Sequence, residues 1–161
     1  MRQIRHTLCL LCSLPLLWCM VACSSEDCPI NNTVMGKMAF YSSYGEPVSF
    51  VGALTVRVAR PQGDSVVLNK KVNASNLLFP LSYAHAVDTL ILDYDGTLCD
   101  SIYIGHVNTP TLVSVDCGVA MYHTITSVSS THYLIDSLIL KSSDVDYDER
   151  ENIQVLFPVA D

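Results

Sequence analysis

Three aspartates near the C-terminal end of the chain, Asp144, Asp146 and Asp148, alternate with other residues. Hard cations such as calcium prefer several carboxylate oxygens at short spacing, so these side chains are candidate calcium ligands. A calcium loop of the usual kind also needs Gly at its sixth position and Glu at its twelfth, where this chain has Glu149 and Val155. The segment from residue 144 to residue 151 is therefore predicted to be a solvated acidic loop, with calcium binding as the alternative.

Residues 90–101 read LILDYDGTLCDS, an apolar run followed by two aspartates and Gly-Thr. This segment resembles the first motif of the haloacid-dehalogenase-like phosphatases. The resemblance implies that Asp93 is a nucleophile that forms an aspartyl-phosphate and that Asp95 is an acid and base toward the leaving group and water. It also implies magnesium at Asp93 and at the carbonyl of Asp95, with Lys141 as the lysine that holds the phosphorylated Asp93.

The sequence around this motif favours a simpler interpretation. The phosphatase family places the motif in a doubly wound parallel sheet with helices between the strands, whereas the segments on both sides here read as β. Residues 90–92 fit a buried strand, and residues 93–96 have the composition of a turn, in which Gly supplies a positive φ and Asp caps its own backbone. We therefore predict a turn and no catalytic residues, with phosphatase activity as the alternative.

The histidines show no paired spacing that would indicate a zinc site. His85 and His106 are scattered, and His123 and His132 are candidates to approach each other across adjacent strands, although structural or surface roles are the predicted state. The chain has no Gly-x-Ser-x-Gly elbow, phosphate-binding loop or dinucleotide fingerprint. No metal and no cofactor are therefore predicted.

The start of the chain has the pattern of an exported precursor. Arg2 and Arg5 precede an apolar, uncharged run over residues 7–22, and Met20-Val21-Ala22-Cys23 resembles a lipobox. We predict a signal peptide over residues 1–22, cleavage before Cys23, and a diacylglycerol on the Cys23 thiol, so that Cys23 carries two ester-linked acyl chains and one amide-linked chain, with palmitate among them. Three chains would make the membrane anchor effectively permanent.

The cysteines that remain after cleavage and lipidation are Cys28, Cys99 and Cys117. An exported protein can form disulfides, so one bridge and one free thiol is the simplest arrangement. Cys28 is where the tether joins the domain and Cys117 precedes a glycine at a turn, so this pairing is favoured among the three. The alternative is that all three are reduced.

Composition indicates one acidic domain. All sixteen Asp and Glu residues follow the signal peptide, whereas two of the nine Lys and Arg residues lie within it. Nucleic acid is therefore not an expected partner. The 139 residues after the signal peptide are enough to bury one core.

Short runs rich in Val, Ile, Thr and Tyr alternate with turn residues through the whole domain, and no window has a helical stripe. Residues 54–68 read as a hairpin around the turn residues 60–64. We predict an all-β, immunoglobulin-like or fibronectin-like β-sandwich over residues 33–161, after a tether over residues 23–32. The expected strands are residues 34–44, 54–58, 65–68, 77–81, 88–92, 101–107, 111–115, 119–127, 133–140 and 153–157.

At four positions a serine or threonine follows an aspartate and precedes an apolar residue. This pattern is similar to the O-glycosylation signal of Bacteroidetes-type exported proteins. The alternative is that an aspartate followed by a hydroxyl residue marks a turn that leads into a strand. The candidate positions are Ser65, Thr89, Ser101 and Ser137.

Over most of its mature length, the chain resembles a family of small Bacteroidetes-type lipoproteins of unknown function. The resemblance rests on the lipobox, residues 23–29, Cys117-Gly118, residues 135–138 and residues 146–153. It implies a lipid anchor in the outer membrane, and residues 24–27 partly resemble a signal for display on the cell surface.

These observations predict an envelope lipoprotein with a non-enzymatic binding or assembly role. Its expected partners are the membrane, through the lipid on Cys23, and an envelope protein or glycan.

Overall fold

The computed structural model describes Cys28 and residues 33–159. The predicted signal peptide, the lipidation site Cys23 and residues 24–27 lie outside the described residues. Within the described part the fold is all-β, and no helix there is long and apolar enough to cross a membrane. Its strands are β1 (Met35–Ser42), β2 (Leu54–Val58), β3 (Ser65–Lys71), β4 (Asn76–Pro80), β5 (Val87–Tyr94), β6 (Leu98–Ser114), β7 (Gly118–Ser130), β8 (Ser137–Leu140), β9 (Asp144–Val145) and β10 (Ile153–Phe157).

The strands form two sheets that pack face to face. The four-stranded sheet has the order β4-β1-β10-β8, and the six-stranded sheet has the order β3-β2-β5-β6-β7-β9. Strands β1 and β10 pair in parallel, and the other ladders are antiparallel. The predicted all-β sandwich is confirmed, as is the hairpin of β2 and β3.

Alternation of side chains explains why these segments fold as strands. In β2 the buried residues Leu54, Val56 and Val58 alternate with half-buried Thr55 and Arg57. Successive side chains in a strand point to opposite faces, so this pattern gives β2 one core face. The same period places inward-facing apolar side chains from both sheets in one core.

Three strand predictions need correction. The strands predicted over residues 101–107 and 111–115 form one strand, β6, which ends at Ser114, because the ladder with β7 continues through Pro110. Beyond Gly105, β6 pairs with β7 alone, so a residue without an N–H is tolerated there. Residues 133–136 are not strand, and the predicted acidic loop begins with β9, which pairs with β7.

A disulfide joins Cys28 to Cys117 in the turn between β6 and β7, with a Cα–Cα distance of 5.3 Å. This is the pairing favoured from the sequence, and Cys99 is an exposed free thiol. The chain then bridges to β7 at Thr33, opposite Met121, before it begins β1. The start of the domain is thus fixed to the β6–β7 hairpin.

Candidate functional site

A pocket of about 370 Å³ opens at the end of the sandwich where β1 and β10 finish. Its walls are almost entirely apolar, which is typical of sites that bind a hydrophobic group. The lining residues come from the ends of these strands, from the loop before β2 and from the segment after β7: Phe40, Ser42, Val48, Ser49, Phe50, Val51, Leu134, Phe157, Pro158 and Val159.

Backbone pairing holds the loop that forms one wall. The Val48 N–H donates to the carbonyl of Phe40, and the Phe50 N–H donates to the carbonyl of Ala74. These bonds place Phe50 5.0 Å from Tyr94 and 6.3 Å from Phe157, measured between ring centroids. Such aromatic contacts give the pocket a rigid base.

The opposite wall depends on Asp100, a fully buried carboxylate on β6. It accepts hydrogen bonds from the backbone N–H groups of Tyr133, Leu134 and Ile135 and from the Thr131 hydroxyl, at 2.8–3.1 Å. Burial opposes ionisation of this carboxyl, but these donors favour the charged form and lower its pKa. Asp100 therefore fixes the segment that carries Leu134 into the pocket wall.

Tyr94 lies beneath the aromatic residues of the pocket. Its hydroxyl is buried and has no hydrogen-bond partner among the described residues. Burial, with Asp100 and Cys99 nearby, raises the pKa of this hydroxyl, so it stays neutral. A buried hydroxyl without an acceptor is unusual in a protein interior.

A second feature is a polar cluster further along β6, built from Asp88, His106, Asn108 and His123. The Asn108 amide nitrogen donates to the Ser82 carbonyl at 2.9 Å, so its oxygen faces both imidazoles. That oxygen lies 2.9 Å from Nδ1 of His106 and 2.7 Å from Nδ1 of His123. Because a carboxamide oxygen can only accept, both Nδ1 atoms carry hydrogen.

The contacts of Asp88 and His106 determine the electrostatic environment of His123. Nε2 of His106 lies 3.0 Å from Asp88, whose carboxylate also accepts from Arg60 and from the Ser82 N–H. Both ring nitrogens of His106 therefore face oxygen atoms, Nδ1 that of Asn108 and Nε2 that of Asp88. Burial, followed by the charge of His106, lowers the pKa of His123 to about 4 against the opposing effect of Asp88.

The model of the family of unknown function DUF6452 matches residues 53–157, which is well over half of the chain. The chain belongs to this family. The match includes every described strand except β1, and it includes Leu134 and Phe157 of the pocket but not Phe40 or Phe50. No curated protein matches the chain. No solved structure matches it either.

In this DUF6452 domain, the motif at residues 93–97 covers the end of β5 and the turn that leads to β6. Asp93 and Tyr94 are strand residues, whereas the sequence predicted a turn from residue 93. Asp93 accepts from the Gly96 N–H at 2.8 Å, and Asp95 accepts from the Ala53 N–H at 2.7 Å. A Cβ on Gly52 would overlap the Asp95 carboxylate, so glycine permits this contact. Both carboxylates line a smaller cleft of about 310 Å³, together with Thr55 and Lys70.

The setting that the phosphatase motif requires is not found in the described part of this family member. Strand β5, which carries Asp93, is antiparallel to both of its neighbours, and Lys141 follows β8 in the other sheet. The geometry gives Asp93 and Asp95 the role of turn residues.

The acidic loop binds its own arginine. The Arg150 guanidinium lies 2.8 Å from Asp146 and 2.6 Å from Asp148, while Asp144 is in β9. Across Cys28 and residues 33–159, no three His, Cys, Asp or Glu side chains are grouped to hold a metal ion. Residues 146–150 form a loop, whereas residues 144–145 of the predicted loop are strand.

The proposed approach of His123 to His132 is wrong. His123 is in β7 and His132 follows the end of the same strand, where its Nδ1 lies 3.1 Å from the Ile135 carbonyl. The neighbour of His123 is His106, with ring centroids 5.3 Å apart. His85 bonds to the Ser82 hydroxyl in an exposed loop.

The candidate glycosylation positions differ in their surroundings. The aspartates that precede Thr89 and Ser101 are Asp88 and Asp100, which are both buried and hydrogen-bonded. They have structural roles that the sequence pattern did not indicate. Ser65 is exposed, and Ser137 is half-buried beside an exposed aspartate.

Proposed function

We propose that this protein is a lipid-anchored envelope lipoprotein whose sandwich is a non-enzymatic binding module, with the apolar pocket as its binding site. The observation that carries the proposal is the pocket itself, which has aromatic and aliphatic walls around about 370 Å³. A well-formed apolar pocket with few polar groups in its lining is the first candidate for a binding site.

The pocket has the position expected of a site that faces away from an anchor. Strand β1 begins just after Thr33, beside the β6–β7 hairpin, and ends at Ser42 in the pocket wall. Eight residues of strand at ~3.3 Å each separate these two ends by roughly 26 Å. Cys28, and with it the predicted anchor at Cys23, joins the domain at the end opposite the pocket.

The chemistry of the pocket favours an apolar side chain of a partner protein over a glycan. Ser42 and Ser49 are the polar residues in its lining, which is too few for a sugar with many hydroxyl groups. Two exposed tyrosines, Tyr44 and Tyr133, lie close in sequence to lining residues Ser42 and Leu134. Tyrosine is enriched at protein interfaces, so these rings fit the rim of such a site.

Photo-crosslinking in intact cells tests the proposal. A benzophenone amino acid at Val51, which lines the pocket and is 77% exposed, is expected to form an adduct with one envelope protein. The matched control is Val72, an exposed valine outside the pocket lining. Val159→Glu would place a charge in the pocket lining and is expected to reduce the Val51 adduct by about tenfold.

Equal adducts at Val51 and Val72, or a Val51 adduct that survives Val159→Glu, would contradict binding in the pocket. Cys23→Ala tests the anchor, since it should remove acyl chains and release the protein from the membrane. Vanadate-sensitive hydrolysis of a phosphomonoester that is lost on Asp93→Asn would instead establish the phosphatase alternative.

A further inference from the structure

The β6–β7 hairpin extends beyond the sandwich as an almost uncharged apolar arm. After Gly105, β6 pairs with β7 alone, and the two strands continue to a turn at residues 115–117. Residues 107–121 read VNTPTLVSVDCGVAM and include a single charged residue, Asp116. Exposed hairpins normally carry charges, so this composition calls for an explanation.

The apolar side chains of the arm continue the inner face of the six-stranded sheet. Asn108 is opposite His123, which is buried, and two pairs further along the same face Leu112 is opposite Val119. Leu112 is 64% exposed and Val119 is 57% exposed, while Val115 in the turn is 92% exposed. Within the part of the chain that the structure describes, the core face of the sheet therefore extends past the opposite sheet and is left uncovered at its end.

The disulfide limits how far this arm can lie from the lipid anchor. Cys117 in the turn is bonded to Cys28, and Cys28 is five residues from Cys23. A fully extended chain of five residues spans at most about 18 Å. Acyl chains on Cys23 would therefore hold Cys117 within this distance of the bilayer surface plus the 5.3 Å that separates the Cα atoms of Cys28 and Cys117.

We infer that the tip of the β6–β7 hairpin is a second membrane contact, in which Leu112, Val115 and Val119 enter the interface of the bilayer that holds the lipid of Cys23. The inference rests on the proposed lipid anchor. It adds a fixed orientation, because two linked contacts at one end of the sandwich direct the pocket away from the membrane. Apolar side chains that enter the headgroup region are a known means of interfacial binding.

Tryptophan fluorescence can test this contact, since the sole tryptophan of the chain, Trp18, lies in the predicted signal peptide. The full precursor with Val115→Trp would be expressed in a bacterium, purified from membranes and placed in phosphatidylcholine vesicles with brominated acyl chains. Val119→Trp provides a second reporter on the arm. Val51→Trp is the matched control, an exposed valine at the pocket end.

We expect bromine to quench about half of the emission or more at positions 115 and 119 and to leave position 51 nearly unchanged. The mass of the N-terminal peptide, measured on the same samples, reports acylation of Cys23. Acylated protein with equal quenching at all three positions, or with none, would overturn the membrane contact and leave the anchor intact. Absence of acyl chains would overturn both.

Discussion

Cys28 and Cys117 are bonded across 89 residues of sequence, which ties the start of the domain to the turn of its longest hairpin. A crosslink of this span removes conformational freedom from the unfolded chain. We expect Cys28→Ser with Cys117→Ser to lower the free energy of unfolding by about 2–4 kcal/mol, measured by urea denaturation. Cys99→Ser is the matched control and should leave stability unchanged, since Cys99 is an exposed free thiol. A double variant as stable as the parent protein would contradict the proposed role of the bond.

Much of the fold could be predicted because each strand carries its own pattern. The alternation of Leu54, Val56 and Val58 and the turn residues after them identify a half-buried hairpin without knowledge of any other segment. The sequence predicts two strands, over residues 101–107 and 111–115, whereas the structure has the single strand β6 with Pro110 inside it. Its unpaired side is set by the neighbours of the strand and cannot be read from the local sequence.

The candidate site was harder to predict because its parts are distant in sequence. Phe40, Phe50 and Phe157 meet only after β1 and β10 pair, so no short motif marks the pocket. Asp100 matched a modification pattern, whereas the structure buries it as the acceptor for a loop some 30 residues further along the chain. The sequence alone does not distinguish a buried aspartate from an exposed one.

Replacement of Asp100 tests whether this carboxylate organises the wall of the pocket. Asp100→Asn puts an N–H₂ group where one of two accepting oxygens stood, and it also removes the charge. We expect a loss of about 2–4 kcal/mol in the free energy of unfolding. Asp136→Asn is the matched control, since Asp136 is exposed and its carboxylate accepts one bond from the Ser137 hydroxyl. Equal losses in the two variants would contradict the assignment.

The lowered pKa of Asp100 also predicts how acid acts on the domain. A carboxyl whose pKa is lower in the folded state contributes its full stability above its ordinary pKa, which is 3.8. That contribution is lost as the pH falls below 3.8. Thermal unfolding between pH 2 and pH 5 should therefore show a steeper acid loss in the parent protein than in Asp100→Asn. Parallel curves would show that Asp100 has the same pKa in both states.

The lowered pKa of His123 predicts a separate pH dependence at higher pH. The pKa of His123 falls from 6.5 to about 4 on folding, so the unfolded chain binds more protons than the folded domain between these values. Stability should therefore decrease as the pH falls from 6.5 toward 4, by at most about 1.4 kcal/mol per unit. His123→Phe keeps an aromatic ring against Tyr83 and removes this slope, whereas His132→Gln should retain it. A slope that survives in His123→Phe would assign it to another group.

Variants in the turn at Asp95-Gly96 can distinguish a structural role of the motif from a catalytic one. Both residues have positive φ, 54° and 71°, and Thr97 N–H closes the turn on the Tyr94 carbonyl at 3.0 Å. Asparagine tolerates this conformation and can accept from Ala53 through its amide oxygen, so Asp95→Asn should change the free energy of unfolding by less than about 0.5 kcal/mol. Gly96→Val should cost about 1–2 kcal/mol, because a β-branched side chain is strained at positive φ.

These two variants, compared both by urea denaturation and by hydrolysis of a phosphomonoester, distinguish the structural interpretation from the catalytic one. A phosphatase would lose activity on Asp95→Asn, which removes its acid and base, whereas a turn would tolerate that change and be damaged by Gly96→Val. A large loss of stability in Asp95→Asn would mean that the negative charge, and not the hydrogen bond to Ala53, holds the turn. A stable Gly96→Val variant would mean that the turn is free to adopt another conformation.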